Sequence, residues 1–151
     1  MTWTCFSAIF HHMTYSAYID IPTRGFSDII DITPRVEAAL SESGLTEGLL
    51  SVFVIGSTAT ITTIEFESGV IQDLKDAIER VAPRDIPYRH DGQWGDGNGF
   101  AHVRAALLKP GITIPFTSGA LTLGTWQQVV LIDFDNRPRQ RRIALQAVGE
   151  R

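Results

Sequence analysis

Residues 49–83 read LLSVFVIGSTATITTIEFESGVIQDLKDAIERVAP, and the change of period inside this stretch decides the fold class. Residues 49–55 and 58–66 are rich in β-branched and aromatic side chains and are joined through Gly56 and Ser57, so both read as strands. From residue 68 to 81 the period becomes helical. Val70, Leu74, Ile78 and Val81 share one face and Asp73, Lys75, Asp76, Glu79 and Arg80 fill the other, before Pro83 stops the run.

Working outward, residues 15–21 and 26–32 are β-rich and flank Pro22, Arg24 and Gly25, which predicts a hairpin. A helix follows, with Thr33 as its cap, Pro34 in its first turn, Val36, Ala39 and Leu40 as its apolar stripe and Gly44 as its stop. A shorter helix is predicted over 100–108, ahead of Pro110, and strands over 112–116, 120–124, 127–134 and 142–148. Strands first and last with two to three helices between them give an α+β fold of packed mixed or antiparallel sheets, with no regular β-α alternation.

The 151 residues fit one domain, spanning residues 1–151. The apolar start, MTWTCFSAIFHHMTY, has neither a basic leader nor a membrane-length run, so residues 1–14 read as a loosely ordered N-terminal extension. Net charge is −4, which argues against nucleic acid or an anionic membrane as partner. The single cysteine, Cys5, excludes an internal disulfide framework and suits a reducing, cytoplasmic setting. Arg137, Arg139, Arg141 and Arg142 read as a solvated strand end, an anion-facing patch being the alternative.

Chemistry concentrates in YRHDGQWGDGNGFAHVRAALL, residues 88–108, where His90 and His102 frame a glycine-rich loop. Imidazole transfers protons near neutral pH and ligates metals, but this spacing matches no zinc pattern, and helix or strand packing of either ring is the competing reading. Glu65, at the end of TATITTI, is a carboxylate on the face that carries Ala59 and Ile61: a general base or metal ligand if buried, a solvated side chain if the strand has reached the surface. The loop aspartates Asp91 and Asp96 are weaker candidates for holding Mg²⁺, and Trp94 is either a lid or a packed anchor. Gly124 with Trp126 and Gln127 offers an apolar wall and an amide beside a close-approach position. Ser57 and Thr58 would be nucleophiles only with a base beside them.

Three separated motifs, G-S-T-A-T-I-T-T-I-E at 56–65, N-G-F-A-H at 98–102 following His90, and G-A-L-T-L-G-T-W-Q at 119–127, together resemble the YjbQ family. The resemblance runs from about Tyr15 onward and includes D-I-T at 31–33 and the ending I-D-F-D-N-R-P-R. It implies a homotrimer of small α+β subunits with secondary thiamine-phosphate synthase activity, joining a hydroxymethylpyrimidine diphosphate to a thiazole phosphate with release of pyrophosphate. It further implies a pocket of Glu65, His90, Asn98, His102, Trp126 and Gln127. In that pocket Glu65, His90 and His102 are catalytic, and Asn98, Trp126 and Gln127 bind substrate. A divalent metal, Mg²⁺ or Zn²⁺, would sit on His90 and His102. Arg104, with Arg89, is the nearest cation to the histidines for neutralising a diphosphate, so Arg104 joins the substrate-binding set. Where family members read H-T-T-A this chain has Gly56-Ser57-Thr58-Ala59, so one histidine of the pattern is absent. His11 or His12 is a possible replacement, and a non-catalytic trimeric binding protein for a phosphorylated or heterocyclic metabolite is the alternative function.

Overall fold

The computed structural model describes residues 13–151. In chain order the elements are β1 (Met13–Thr23), β2 (Asp28–Asp31), α1 (Thr33–Ser43), β3 (Glu47–Ile55), β4 (Ala59–Ile64), α2 (Ser68–Val81), α3 (Arg89–Trp94), α4 (Gly99–Leu108), β5 (Gly111–Thr117), β6 (Ala120–Leu121), β7 (Gln128–Asp133) and β8 (Arg139–Glu150). Met13 and Thr14, expected in the N-terminal extension, open β1; Cys5, His11 and His12 lie outside the described residues.

The strands form two sheets, ordered β1-β8-β3-β5-β6 and β2-β7-β4, and every pairing is antiparallel. The expected hairpin at 15–32 is therefore not one: β1 pairs with β8 in the large sheet and β2 with β7 in the small one. The turn between them explains the difference. Phe26 and Ser27 follow Gly25 at φ 53° and 61°, a left-handed run that carries the chain out of one sheet and into the other instead of folding it back.

The sheets pack face to face over Leu50, Val52, Val54, Ile143 and Leu145 on one side and Ile61, Val129 and Leu131 on the other, with Val36, Ala39 and Leu40 of α1 closing the layer. The far face of the small sheet buries Val130, Ile132 and Phe134 under α2 and α4. Strand β7 is thus covered on both faces, which is why its sequence, QVVLID, shows no alternation. Helix α1 ends at Gly44 as expected, but its first turn is capped from outside: the Asp31 carboxylate accepts the Thr33 N–H at 2.8 Å, while the Thr33 hydroxyl accepts from Val129 N–H. Glu67 caps α2 through the N–H groups of Gly69 and Val70.

Three of the four direct passages between the sheets, at 24–27, 56–58 and 134–138, lie at the same end of the molecule; the fourth, 122–127, is at the other. The residues those three bring together make the site.

Candidate functional site

The seam where the three passages meet holds a buried charge cluster. Arg141 is 7% exposed and grips Asp133 with two nitrogens, Nε to Oδ2 at 2.7 Å and Nη2 to Oδ1 at 2.6 Å. Nη2 also donates to the Thr58 hydroxyl at 2.7 Å, and that hydroxyl donates to Asp135 at 2.9 Å. Thr23, from the large sheet, donates to Asp133 at 2.5 Å, and Arg139 Nε donates to Asp135 at 2.9 Å. Two arginines thus face two aspartates, each pairing bridges both sheets, and no buried side-chain polar atom among the described residues lacks a partner. Burial alone would raise the Asp135 pKa, but the hydrogen bonds from Arg139 and Thr58 and the charges of Arg139 and Arg141 bring it below the ordinary carboxylate value. The expectation of a solvated arginine run fails here for Arg141; Arg137 and Arg142 match it, both being exposed, with Arg142 paired to Asp20 on the outer sheet face.

The glycine loop is built onto the edge of this cluster. Part of it forms α3, a helix not expected from so many glycines, and its Asp91 carboxylate accepts the Gly99 N–H at 2.8 Å, capping α4. Position 99 admits only glycine, since a Cβ there would lie 2.5 Å from the Tyr88 Cβ. This clasp sets α3 against α4 and lays the His90 ring on the His102 ring, centroids 4.4 Å apart and tilted by 43°. His90 Nε2 lies 3.5 Å from Asp96 Oδ1, and the buried Asn98 amide, oriented by its surroundings, donates to the same carboxylate at 3.2 Å. Burial, then the neighbouring His90, lowers the His102 pKa below 6.5, against the raising pull of Asp96, Asp135 and Asp91. At neutral pH His102 is an uncharged imidazole, able to accept a proton.

Two openings flank the histidines. One, of about 310 Å³, is lined by Asp96, Asn98, Asn136, Arg137 and Arg139. The other is lined by Gly56, Ser57, Ala59, His102, Ala105, Ala106 and Pro110. At its floor a Cβ on Gly56 would lie 3.1 Å from Arg141 Nη1, so the guanidinium occupies the direction in which a side chain at 56 would point.

The remaining residues singled out from the sequence lie elsewhere. Glu65 is exposed just past the end of β4, and five strand residues at about 3.3 Å each put roughly 17 Å between that end and Ala59 beside His102. Gln127 is at the same far end, its amide donating to Thr63 Oγ1 at 2.9 Å, and Trp126 beside it is 70% exposed. Arg104 is 4% exposed and turned toward α2, giving its donors to Ala82 O and Glu79 there and to Ser27 of the 24–27 passage. Trp94 projects into solvent at 71% exposure. Within one chain, then, His90, His102 and Asn98 come together, while Glu65, Trp126 and Gln127 form a second group at the opposite end of the small sheet. Sequence reasoning passed over Thr23, Asp133 and Asp135 and took Arg139 and Arg141 only as part of an arginine run; the available signal was D-F-D ahead of R-P-R-Q-R, two acidic and three basic residues each at a spacing of two.

Among the described residues no three His, Cys, Asp or Glu side chains stand where one metal ion would join them. His90 and His102 fit as two ligands at most, and a third would have to come from outside the described residues or from another copy of the chain.

The model of the family described as UPF0047 protein YjbQ-like matches residues 17–150. The chain belongs to the YjbQ-like UPF0047 family. A UPF0047 protein of Methanothermobacter thermautotrophicus is 35% identical over 136 residues, 90% of this chain and 93% of that one, and one of Archaeoglobus fulgidus is 36% identical over 121 residues, 80% and 91%. A YbjQ-like protein of unknown function from Sulfolobus solfataricus has a similar structure, with TM-score 0.88 and 31% identity over 93% of this chain and all of that one. A hypothetical protein from Aeropyrum pernix follows at TM-score 0.83 and 29% identity, over 90% and 99%. The α+β arrangement expected for the YjbQ family is the one this chain adopts, with four helices in place of two or three. No helix of the described residues is long and apolar enough to cross a membrane.

Proposed function

We propose that this YjbQ-like protein binds phosphorylated small molecules at the histidine pair and acts as a secondary thiamine-phosphate synthase of low turnover. The observation that supports it is an uncharged, half-buried His102 stacked on His90, whose Nε2 faces Asp96, a residue of the cleft that carries arginine side chains. Joining a hydroxymethylpyrimidine diphosphate to a thiazole phosphate forms a carbon–nitrogen bond and breaks the carbon–oxygen bond to diphosphate, which departs with the electron pair. Guanidinium groups stabilise the charge that develops on that leaving group, and a neutral imidazole accepts or returns a proton nearby. A divalent metal would serve the same diphosphate; His90 and His102 are the residues that would hold it, with no third ligand among those described. The test is synthase turnover by purified protein, before and after His102→Ala, together with elemental analysis for metal. Turnover lost in the variant supports the reading; turnover absent from the wild-type protein removes it.

Self-association is part of the proposal. The outer face of the large sheet exposes Leu49, Phe53, Ile55, Val148 and Tyr18, an apolar surface of the kind that oligomers cover. A trimeric mass in solution is expected, and a monomeric mass refutes it.

A second reading, a non-catalytic binding protein, is favoured by Gly56, which stands where the family pattern carries a histidine. Gly56→His separates the two. Turnover gained with unchanged ligand affinity marks a binding protein descended from an enzyme, and turnover already present in the wild type excludes it.

A further inference from the structure

The loop from 134 to 138 and the first residue of β8 deliver two cations to one cleft in a way that neither the glycine loop nor the histidines explain. Arg137 and Arg139 are two residues apart on either side of Pro138, and both line the cleft that Asp96, Asn98 and Asn136 complete. Arg139 is not a loose surface side chain. Its Nε is held by Asp135, which is 1% exposed and is itself bonded by Thr58 and Arg141, so the guanidinium is fixed from behind while its two terminal nitrogens carry no hydrogen bond to a described residue. A guanidinium anchored along one edge with its outer edge open is preorganised for a tetrahedral oxyanion.

Arg137 makes no ion pair with a described residue, and its backbone is tightly placed. Gly25 packs so closely on this loop that a Cβ there would lie 2.6 Å from Arg137 O and 2.5 Å from Asp135 O, and Phe26 N–H donates to Asp135 O at 2.7 Å. The cleft also contains an opposing charge. Asp96 faces His90 Nε2 from its other side, which confines an anion to the arginine half and leaves the aspartate half for a hydrogen-bond donor. Asn136 Nδ2 donates to Asp96 O at 2.7 Å and ties the two halves together.

We propose that Arg137 and Arg139 form the anion subsite of this protein, taking the phosphate or diphosphate group of a small phosphorylated ligand whose remainder lies toward Asp96, Asn98 and the histidine pair. The assignment rests on the phosphorylated-ligand reading above and names the residues that would recognise the phosphoryl group.

Pyrophosphate is the probe, titrated calorimetrically into the full-length protein at low ionic strength. Wild-type protein binds it saturably; Arg139→Gln weakens binding by about 10-fold or more, Arg137→Gln by about 5-fold, and Arg142→Gln, which removes the same charge from the exposed sheet face, leaves it unchanged. Equal affinity in wild type, Arg137→Gln and Arg139→Gln overturns the subsite, as does no saturable binding by wild type below about 10 mM. If Arg139→Gln fails to fold, the exposed Arg137→Gln decides. The subsite and the synthase reading fail differently. Arginine-dependent pyrophosphate binding without turnover removes only the synthase, whereas turnover with unchanged KM in both arginine variants removes only the subsite.

Discussion

The two ends of the small sheet are made of similar material and behave as opposites. At one end β4 and β7 run into Thr58, Asp133 and Asp135, whose side chains are buried and fully paired with Arg139 and Arg141. At the other they run into Glu65, Trp126 and Gln127, which face solvent. The difference lies in connectivity. Where strands pass directly from sheet to sheet, polar groups are trapped between layers and must find partners; where the chain leaves into a helix or a long loop, they reach water. The candidate site lies at the trapped end, where the imidazoles are partly desolvated and Arg139 and Arg141 are held in fixed orientation.

The sharpest way to break this comparison is Arg141→Met, which leaves buried Asp133 without its arginine and takes one of two arginines from Asp135. A loss of about 3–5 kcal/mol in urea unfolding is expected, against about 0.5 kcal/mol or less for Glu65→Ala at the exposed end; similar losses at both ends would refute the contrast. Next comes a glycine pair. Gly99→Val drives a side chain into Tyr88 and costs about 1–3 kcal/mol, while Gly124→Ala, whose nearest neighbour is Gln127 Oε1 at 3.7 Å, is near neutral by the same measurement.

Acid sharpens the contrast further. The native pKa of His102 is depressed, so the unfolded chain takes up a proton before the folded one does. Stability is therefore complete above the ordinary value of 6.5 and declines as pH falls below it. Asp135, also depressed, adds a second decline at pH below 3.8. Melting temperature followed from pH 8 to 5 should fall in the wild type and fall less in His102→Gln; identical profiles would remove the desolvated imidazole. The smallest effect expected is for Trp126→Ala, which should leave both melting temperature and pyrophosphate affinity unchanged in the isolated subunit.

Much of this was legible in the sequence. The switch from strand to helical period around residue 68, the stop at Gly44 and the helix before Pro110 all appear in the structure, because each rests on local chemistry that tertiary packing did not override. Which strands pair was not legible. Nothing in Pro22–Gly25 distinguishes a hairpin from a passage between sheets, since that depends on strands β7 and β8 more than a hundred residues away. The histidine pair was visible because both rings lie within one short segment. The arginine–aspartate cluster was not, because charge at a strand end reads as solvated until the layer covering it is known.

Placing three of the four direct passages between sheets at one end has a mechanical consequence. The molecule is bound along that edge like a book along its spine, and at the opposite edge the leaves are joined only through α1 and residues 122–127. Amides near Asp133 and Arg141 should be among the last to exchange with deuterium, and those around Ile64 and Gln128 among the earlier strand amides to do so. Thermal breathing then opens away from the histidines, so that a small apolar probe would enter the core from the tryptophan edge while the site keeps its shape.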